Sequence, residues 1–295
     1  MTTQQLLFIT GFQKSGTSLL NRVLMSQDFI ENPFLPEGKF FWGDEPVGNP
    51  TSSPCGELYQ KHLTKKGYQL LAEDFEVSHQ NLLLKRIEKA NVNVPILMNK
   101  NPNLVVRLPW LKKIFPECKI IVVLREPVAN IYSFSKKLYK KKQTNNDYWW
   151  GIKPENWEAL ISSNSLTQIV SQWKAVFSFL VKYIDCVDLF INYSSFCDSP
   201  EKHLLRIANN INLTNVDINI PFEGLTCMDG EYKSGGSLES KNILLRRDKS
   251  FEISKSNLTD KTYHPFSDDE VKFINNETDS LWELLINKTQ DKLIQ

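Results

Sequence analysis

Residues 8–24, FITGFQKSGTSLLNRVL, decide the fold. The apolar run Leu6–Thr10 stops at Gly11, and from Thr17 onward Leu19, Leu20, Val23 and Leu24 recur at helical spacing. The stretch therefore reads as strand, tight loop, helix. Such a unit aims backbone N–H groups and the positive end of the helix at one point, which makes an anion site. Gly11 and Gly16 permit the tight backbone, Lys14 adds a full charge, and Ser15, Thr17 and Ser18 add hydroxyl donors. The order differs from the G-x-x-x-x-G-K-[ST] loop of ATP and GTP enzymes, because Lys14 precedes Gly16. A plain βα turn shares part of this pattern, so the loop needs support from elsewhere in the chain.

Working outward, a second unit of the same kind runs through VPILMNK (94–100), a helical LVVRLPWLKKIF (104–115), KIIVVL (119–124) and a helix from Pro127. A long amphipathic helix in 166–184 leads to the apolar VDLFINY (187–193), and Pro200 opens one more helix. Apolar strands alternating with helices predict an α/β fold, a three-layer sandwich around a mainly parallel sheet of about five strands, P-loop NTPase-like in connectivity. The 295 residues fit one domain, with irregular insertions near 33–60, 143–165 and 221–265 that would supply binding walls and lids. The basic run YKKKQTNNDY (139–148) reads as a solvated helix end.

Composition excludes several classes. With 41% hydrophobic and 23% charged residues the chain can bury a core. A net charge of +1 gives no field for nucleic acid, so an anion must be met by a local cluster. Cys55, Cys118, Cys186, Cys197 and Cys227 are scattered, which suggests neither a disulfide framework nor a zinc site and suits a reducing compartment. No leader or transmembrane stretch is recognisable, so a cytoplasmic location is expected. The triplets beginning at Asn192 and Asn257 match the N-glycosylation pattern but mean nothing outside a secretory route.

The strand 119–124 ends in Arg125, where a magnesium-dependent triphosphatase would carry an acid. A cation beside a phosphate loop suggests a second phosphate group, and Ser133 follows eight residues later. At this point the residues carry a resemblance. FQKSGTSLL (12–20) is similar to the 5′-phosphosulfate loop of sulfotransferases that use 3′-phosphoadenosine 5′-phosphosulfate (PAPS). VVLREPVANIYSF (122–134) resembles their 3′-phosphate motif, while MNKNP (98–102) and INYSSFCDSPEKHLLRI (191–207) agree in order. The match covers roughly residues 6–210. It implies that Lys14, Ser15, Gly16, Thr17 and Ser18 hold the 5′ end of PAPS, that Arg125 and Ser133 grip its 3′-phosphate, and that no metal is required.

The same resemblance, closest to the carbohydrate and glycosaminoglycan branch, points to further residues. Glu37 in FLPEGKFFWGDE (34–45) is the candidate base, with Asp44 and Glu45 as weaker alternatives. The competing reading of Glu37 is an exposed loop carboxylate paired with Lys39. Lys100, at the end of a predicted strand, would assist Lys14 or orient Glu37; otherwise it is a surface lysine. Lys233, Ser234 and Gly235 in GEYKSGGSLESK (230–241) would close over the 3′-phosphate, or form a polar loop. His62, His79, His203 and His264 fall in no matching context and read as structural or surface residues. Trp173 and Phe177 read as core. The tryptophans of DYWWGIKPENW (147–157) and FFWGDEP (40–46) would line an acceptor site, with a carbohydrate or glycolipid hydroxyl as acceptor, or plug the core. An ATP-dependent small-molecule kinase and a catalytically silent nucleotide- or carbohydrate-binding protein are the rival readings.

Overall fold

The computed structural model describes residues 4–25, 27–34, 38–42, 67–142, 148–212 and 266–294. Its elements are β1 (Gln5–Thr10), α1 (Thr17–Met25), β2 (Ile30–Glu31), α2 (Lys39–Trp42), α3 (Val77–Ala90), β3 (Ile96–Lys100), α4 (Leu108–Ile114), β4 (Lys119–Leu124), α5 (Pro127–Lys142), α6 (Ser165–Lys182), β5 (Leu189–Asn192), α7 (Tyr193–Asp198), α8 (Pro200–Asn210), α9 (Asp268–Thr289) and β6 (Leu293–Ile294). The six strands form one sheet in the order β2-β3-β1-β4-β5-β6, and every pairing is parallel.

Strand residues alternate between the two faces, and both faces are covered, as continuous apolar strands require. Leu7, Ile9, Ile121, Val123, Leu189 and Ile191 pack with Leu20 and Val23 of α1 and Ile207 of α8. Phe8, Ile120, Val122 and Phe190 belong to the opposite core, with Trp110 of α4, Phe134 of α5, Trp173 of α6 and Ile274 of α9. Three layers result. Trp173 and Phe177 are core, as expected, their rings stacked 3.8 Å apart.

This layering places the site. β1 feeds α1 on one face, whereas its neighbours β3 and β4 feed α4 and α5 on the other. Connections that leave adjacent strands toward opposite faces open a crevice at the strands' carboxyl ends, the usual ligand position in open α/β sheets.

Several expectations are corrected. The parallel sheet is as expected, with six strands among the described residues where about five were read, because β2 and β6 are two-residue edge strands too short to show a period. Trp42 does not line an acceptor site: it is 0% exposed, and its Nε1 donates to Asn99 Oδ1 at 3.0 Å. Lys142 is not a solvated helix end. It is buried, and its ammonium donates to the Ser162 carbonyl, because residues 148–162 fold back along α5 and α6. That return is fixed by two buried glutamines of α6. Gln172 Nε2 donates to the carbonyls of Trp150 and Ile152 at 3.0 and 2.7 Å, and Gln168 Nε2 to that of Tyr148 at 3.1 Å. A helix the sequence reading passed over, α9, carried a legible signal: Ser267 and Glu270 form a capping box at its start.

Cys118, Cys186 and Cys197 are free thiols, and burial pushes Cys118 up to about 12 and Cys197 to about 11, so neither is a nucleophile at neutral pH. His203 is buried, with Nδ1 2.8 Å from the Ser199 carbonyl and Nε2 3.2 Å from Ser195 Oγ, a structural placement. Among the described residues, no helix is long and apolar enough to cross a membrane.

Candidate functional site

The loop between β1 and α1 stands over the crevice. Leu19 and Leu20 N–H groups bond to the Gly16 carbonyl at 3.0 and 3.2 Å, so α1 begins at the loop's second glycine. The first N–H groups of a helix have no partner within it, and here they belong to residues beside Lys14. Ser15 N–H closes the turn on the Phe12 carbonyl at 3.1 Å. Lys14 itself sits at φ +67°, a left-handed conformation uncommon for a residue with a side chain.

β4 delivers Arg125 to the same place. Its Nη1 donates to the Lys14 carbonyl at 3.0 Å, and its guanidinium carbon lies 4.9 Å from the centre of the Tyr193 ring. Burial pushes the guanidinium's pKa below its ordinary value, with Tyr193 acting in the opposite direction. The group is therefore partly desolvated, which strengthens its attraction for an anion. Ser133 lies half-buried on α5, two turns beyond Arg125.

Tyr193 is the residue that sequence reasoning left without a role. It begins α7 at the end of β5, and its ring lies against Gly16 so closely that a Cβ there would stand 2.1 Å from Cδ2 and 2.4 Å from Cε2. The ring is thus held between the loop and Arg125. The signal available was its position at a strand end beside the sheet's crevice, in a stretch already noted for its resemblance.

Lys100 enters from the other side. At 1% exposure it is not a surface lysine, and its Nζ donates to Ser18 Oγ at 3.3 Å across from β3 to α1. The neighbouring Asn99 holds the α2 turn through Trp42, and Gly38 packs directly on the Asn99 amide. Two sequence candidates, Lys14 and Lys100, therefore flank one helix start. Glu37, Asp44, Glu45, Lys233, Ser234 and Gly235 lie outside the described residues, as do His62 and His264.

The returning segment 148–157 forms a wall beside the loop. Gly151 packs on the Gln13 side chain, and Trp150 lies on Phe134 with ring centres 4.6 Å apart. Trp149 and Trp157 are half-buried and meet edge to face at 5.3 Å, with Lys153 Nζ 3.9 Å from the Trp157 ring centre.

Three cations, Lys14, Lys100 and Arg125, with a glycine-bounded helix start and a row of hydroxyls at one crevice can bind a polyanionic ligand and neutralise charge on it. A model of the Sulfotransferase family matches residues 7–217, the span that contains all of these elements. The chain belongs to the Sulfotransferase family. Membership makes sulfuryl transfer the reaction class, with a sulfate donor and an acceptor. No curated protein matches the sequence. Among solved structures, sulfotransferase STF9 from Mycobacterium avium aligns with a TM-score of 0.51 at 11% identity, covering 96% of this chain and 77% of that one, a likeness of fold. The sulfotransferase domain from the curacin biosynthetic pathway aligns with a TM-score of 0.47 at 12% identity, covering 95% and 99%. The sulfotransferase of Alicyclobacillus acidocaldarius does so at 0.45 and 16%, covering 74% and 86%.

Proposed function

We propose that this sulfotransferase-family chain moves the sulfuryl group of PAPS to an acceptor hydroxyl or amine, with a carbohydrate or glycolipid hydroxyl preferred. The observation that carries this reading is the joining of two cationic elements at one crevice: Arg125, at the end of β4, and the Lys14 loop, linked by the 3.0 Å hydrogen bond. The residues fit such a ligand. Ser15 Oγ and Arg125 Nε are buried polar atoms without a partner among the described residues, and both are donors, as an anion with two separated phosphate groups requires.

When bound, PAPS supplies a sulfuryl group already activated by a phosphate leaving group. Lys14, Ser15, Gly16, Thr17 and Ser18 would hold its 5′ end, and Arg125 and Ser133 its 3′-phosphate, with Lys233, Ser234 and Gly235 closing over the latter. Lys14 and Lys100 place positive charge where negative charge develops, which is the largest service a fixed site can give. Glu37 takes the acceptor's proton. In this reading no metal is required, since side-chain cations and the start of α1 do the neutralising. The half-buried faces of Trp149 and Trp157, on the wall beside Gln13, support an acceptor that presents a sugar ring.

The test is calorimetric titration of the wild-type chain with 3′-phosphoadenosine 5′-phosphate (PAP), ADP and Mg-ATP. PAP is expected to bind about 100-fold more tightly than ADP, since the 3′-phosphate gains charge-assisted partners. Preference for Mg-ATP would replace the reading with a kinase, and binding of none would replace it with a protein silent toward nucleotides. With PAP bound and an acceptor found by screening sugars and lipids, Glu37→Ala is expected to lower turnover by about 100-fold or more. Unchanged turnover would remove Glu37 from the role of base.

A further inference from the structure

We infer that Asn130 is a positioning residue of the loop, one that sets how the loop meets the 5′ end of the donor; the inference rests on the PAPS reading above. Asn130 lies on α5 between Arg125 and Ser133 and is 0% exposed. Its Nδ2 donates to the Gln13 carbonyl at 2.9 Å, across 117 residues of chain. The carbonyl can only accept, so the amide nitrogen and not the oxygen must face it. Arg125 takes the next carbonyl, that of Lys14, at 3.0 Å.

Two consecutive carbonyls of the loop are therefore captured by side chains of the β4–α5 unit. Their effect follows from peptide geometry. A loop binds an anion with N–H groups, so its carbonyl oxygens must be turned away or they repel the ligand. In a trans peptide C=O and N–H point in opposite directions, so fixing the Gln13 carbonyl on α5 turns the Lys14 N–H away from that helix. The two captured carbonyls flank Lys14 on both sides, and Lys14 is the residue held at φ +67°. A conformation unfavourable for a side-chain-bearing residue persists only where its surroundings over-determine it, and Asn130 and Arg125 are those surroundings.

Stability does not explain the residue. Asn130 Oδ1 is buried without a partner among the described residues, a destabilising feature that a leucine of similar size would remove while leaving the Gln13 carbonyl without its donor. A polar side chain that breaks the packing rule while bonding the loop of the site is expected where function, and not the core, selects the residue.

The experiment titrates wild type, Asn130→Leu and Asn130→Ala with PAP, 5′-AMP and 3′-AMP, alongside thermal unfolding. Asn130→Leu is expected to weaken PAP and 5′-AMP by a common factor of about tenfold, to leave 3′-AMP within about twofold, and to shift the unfolding midpoint little, since removing the unpaired Oδ1 offsets leaving the Gln13 carbonyl without its donor. Asn130→Ala gives the same ligand pattern and serves if the leucine variant fails to fold. Equal weakening of all three ligands, or none for PAP and 5′-AMP, overturns the inference while the PAPS reading stands. Wild type that does not bind PAP overturns both.

Discussion

Arg125→Ala is expected to weaken PAP binding by about 100-fold and 5′-AMP binding by only about tenfold. The guanidinium is planar and half-buried, with one N–H on the Lys14 carbonyl and the Nε donor without a partner among the described residues. A charge-assisted hydrogen bond to a phosphate contributes roughly 1.5–3 kcal/mol, and losing it costs one to two factors of ten. The smaller effect on 5′-AMP is the part of Arg125 that braces the loop from outside. Arg125→Lys restores charge but not the fork or the stack on Tyr193, so it recovers only part of the loss. Calorimetry on the three proteins separates these contributions. Equal losses for both ligands would show that Arg125 only shapes the loop, and no loss for either would remove it from the site.

Gly16→Ala is the second large effect, and it acts through sterics. At φ +105° any side chain is strained, and the new Cβ would lie 2.1 Å from Tyr193 Cδ2. The ring also lies against the Arg125 guanidinium, 4.9 Å from its centre, so displacing it would disturb that contact. Loss of PAP affinity of at least about tenfold is expected, with a lower unfolding midpoint from a local strain of about 1–3 kcal/mol. A double-mutant cycle tests the cause: in a Tyr193→Leu background, which removes the ring edge, the same substitution should cost markedly less. Additive costs would mean that the backbone conformation alone, and not the Tyr193 contact, forbids a side chain there.

Much of the candidate site is legible in the sequence because its residues are neighbours along the chain. Lys14, Ser15, Thr17 and Ser18 are neighbours in sequence, and Ser133 follows Arg125 by two helical turns, so spacing alone groups them. What spacing cannot group are contacts between elements. Lys100 reaches Ser18 from 82 residues away, and Asn130 reaches Gln13 from 117. Tyr193 meets Gly16 only because β5 ends level with the crevice. Burial was misread where it breaks a period. Trp42 follows Phe40 and Phe41 with no polar alternation to show which side faces inward, and the Asn99 amide that accepts its N–H lies on β3, 57 residues away. Lys142 looked like the end of a charged run until the segment after it supplied a carbonyl.

By itself the sequence determined the strand-loop-helix opening, the parallel α/β character and the identity of the cationic groups. Each follows from hydrophobic period and residue type within about twenty positions of chain. Only the tertiary structure decided which face each helix covers, that β1 lies between two strands whose helices take the opposite face, and that Lys100, Arg125, Asn130 and Tyr193 converge on one loop. Those outcomes depend on the order in which strands pair, and no property of a strand's own residues specifies its neighbour.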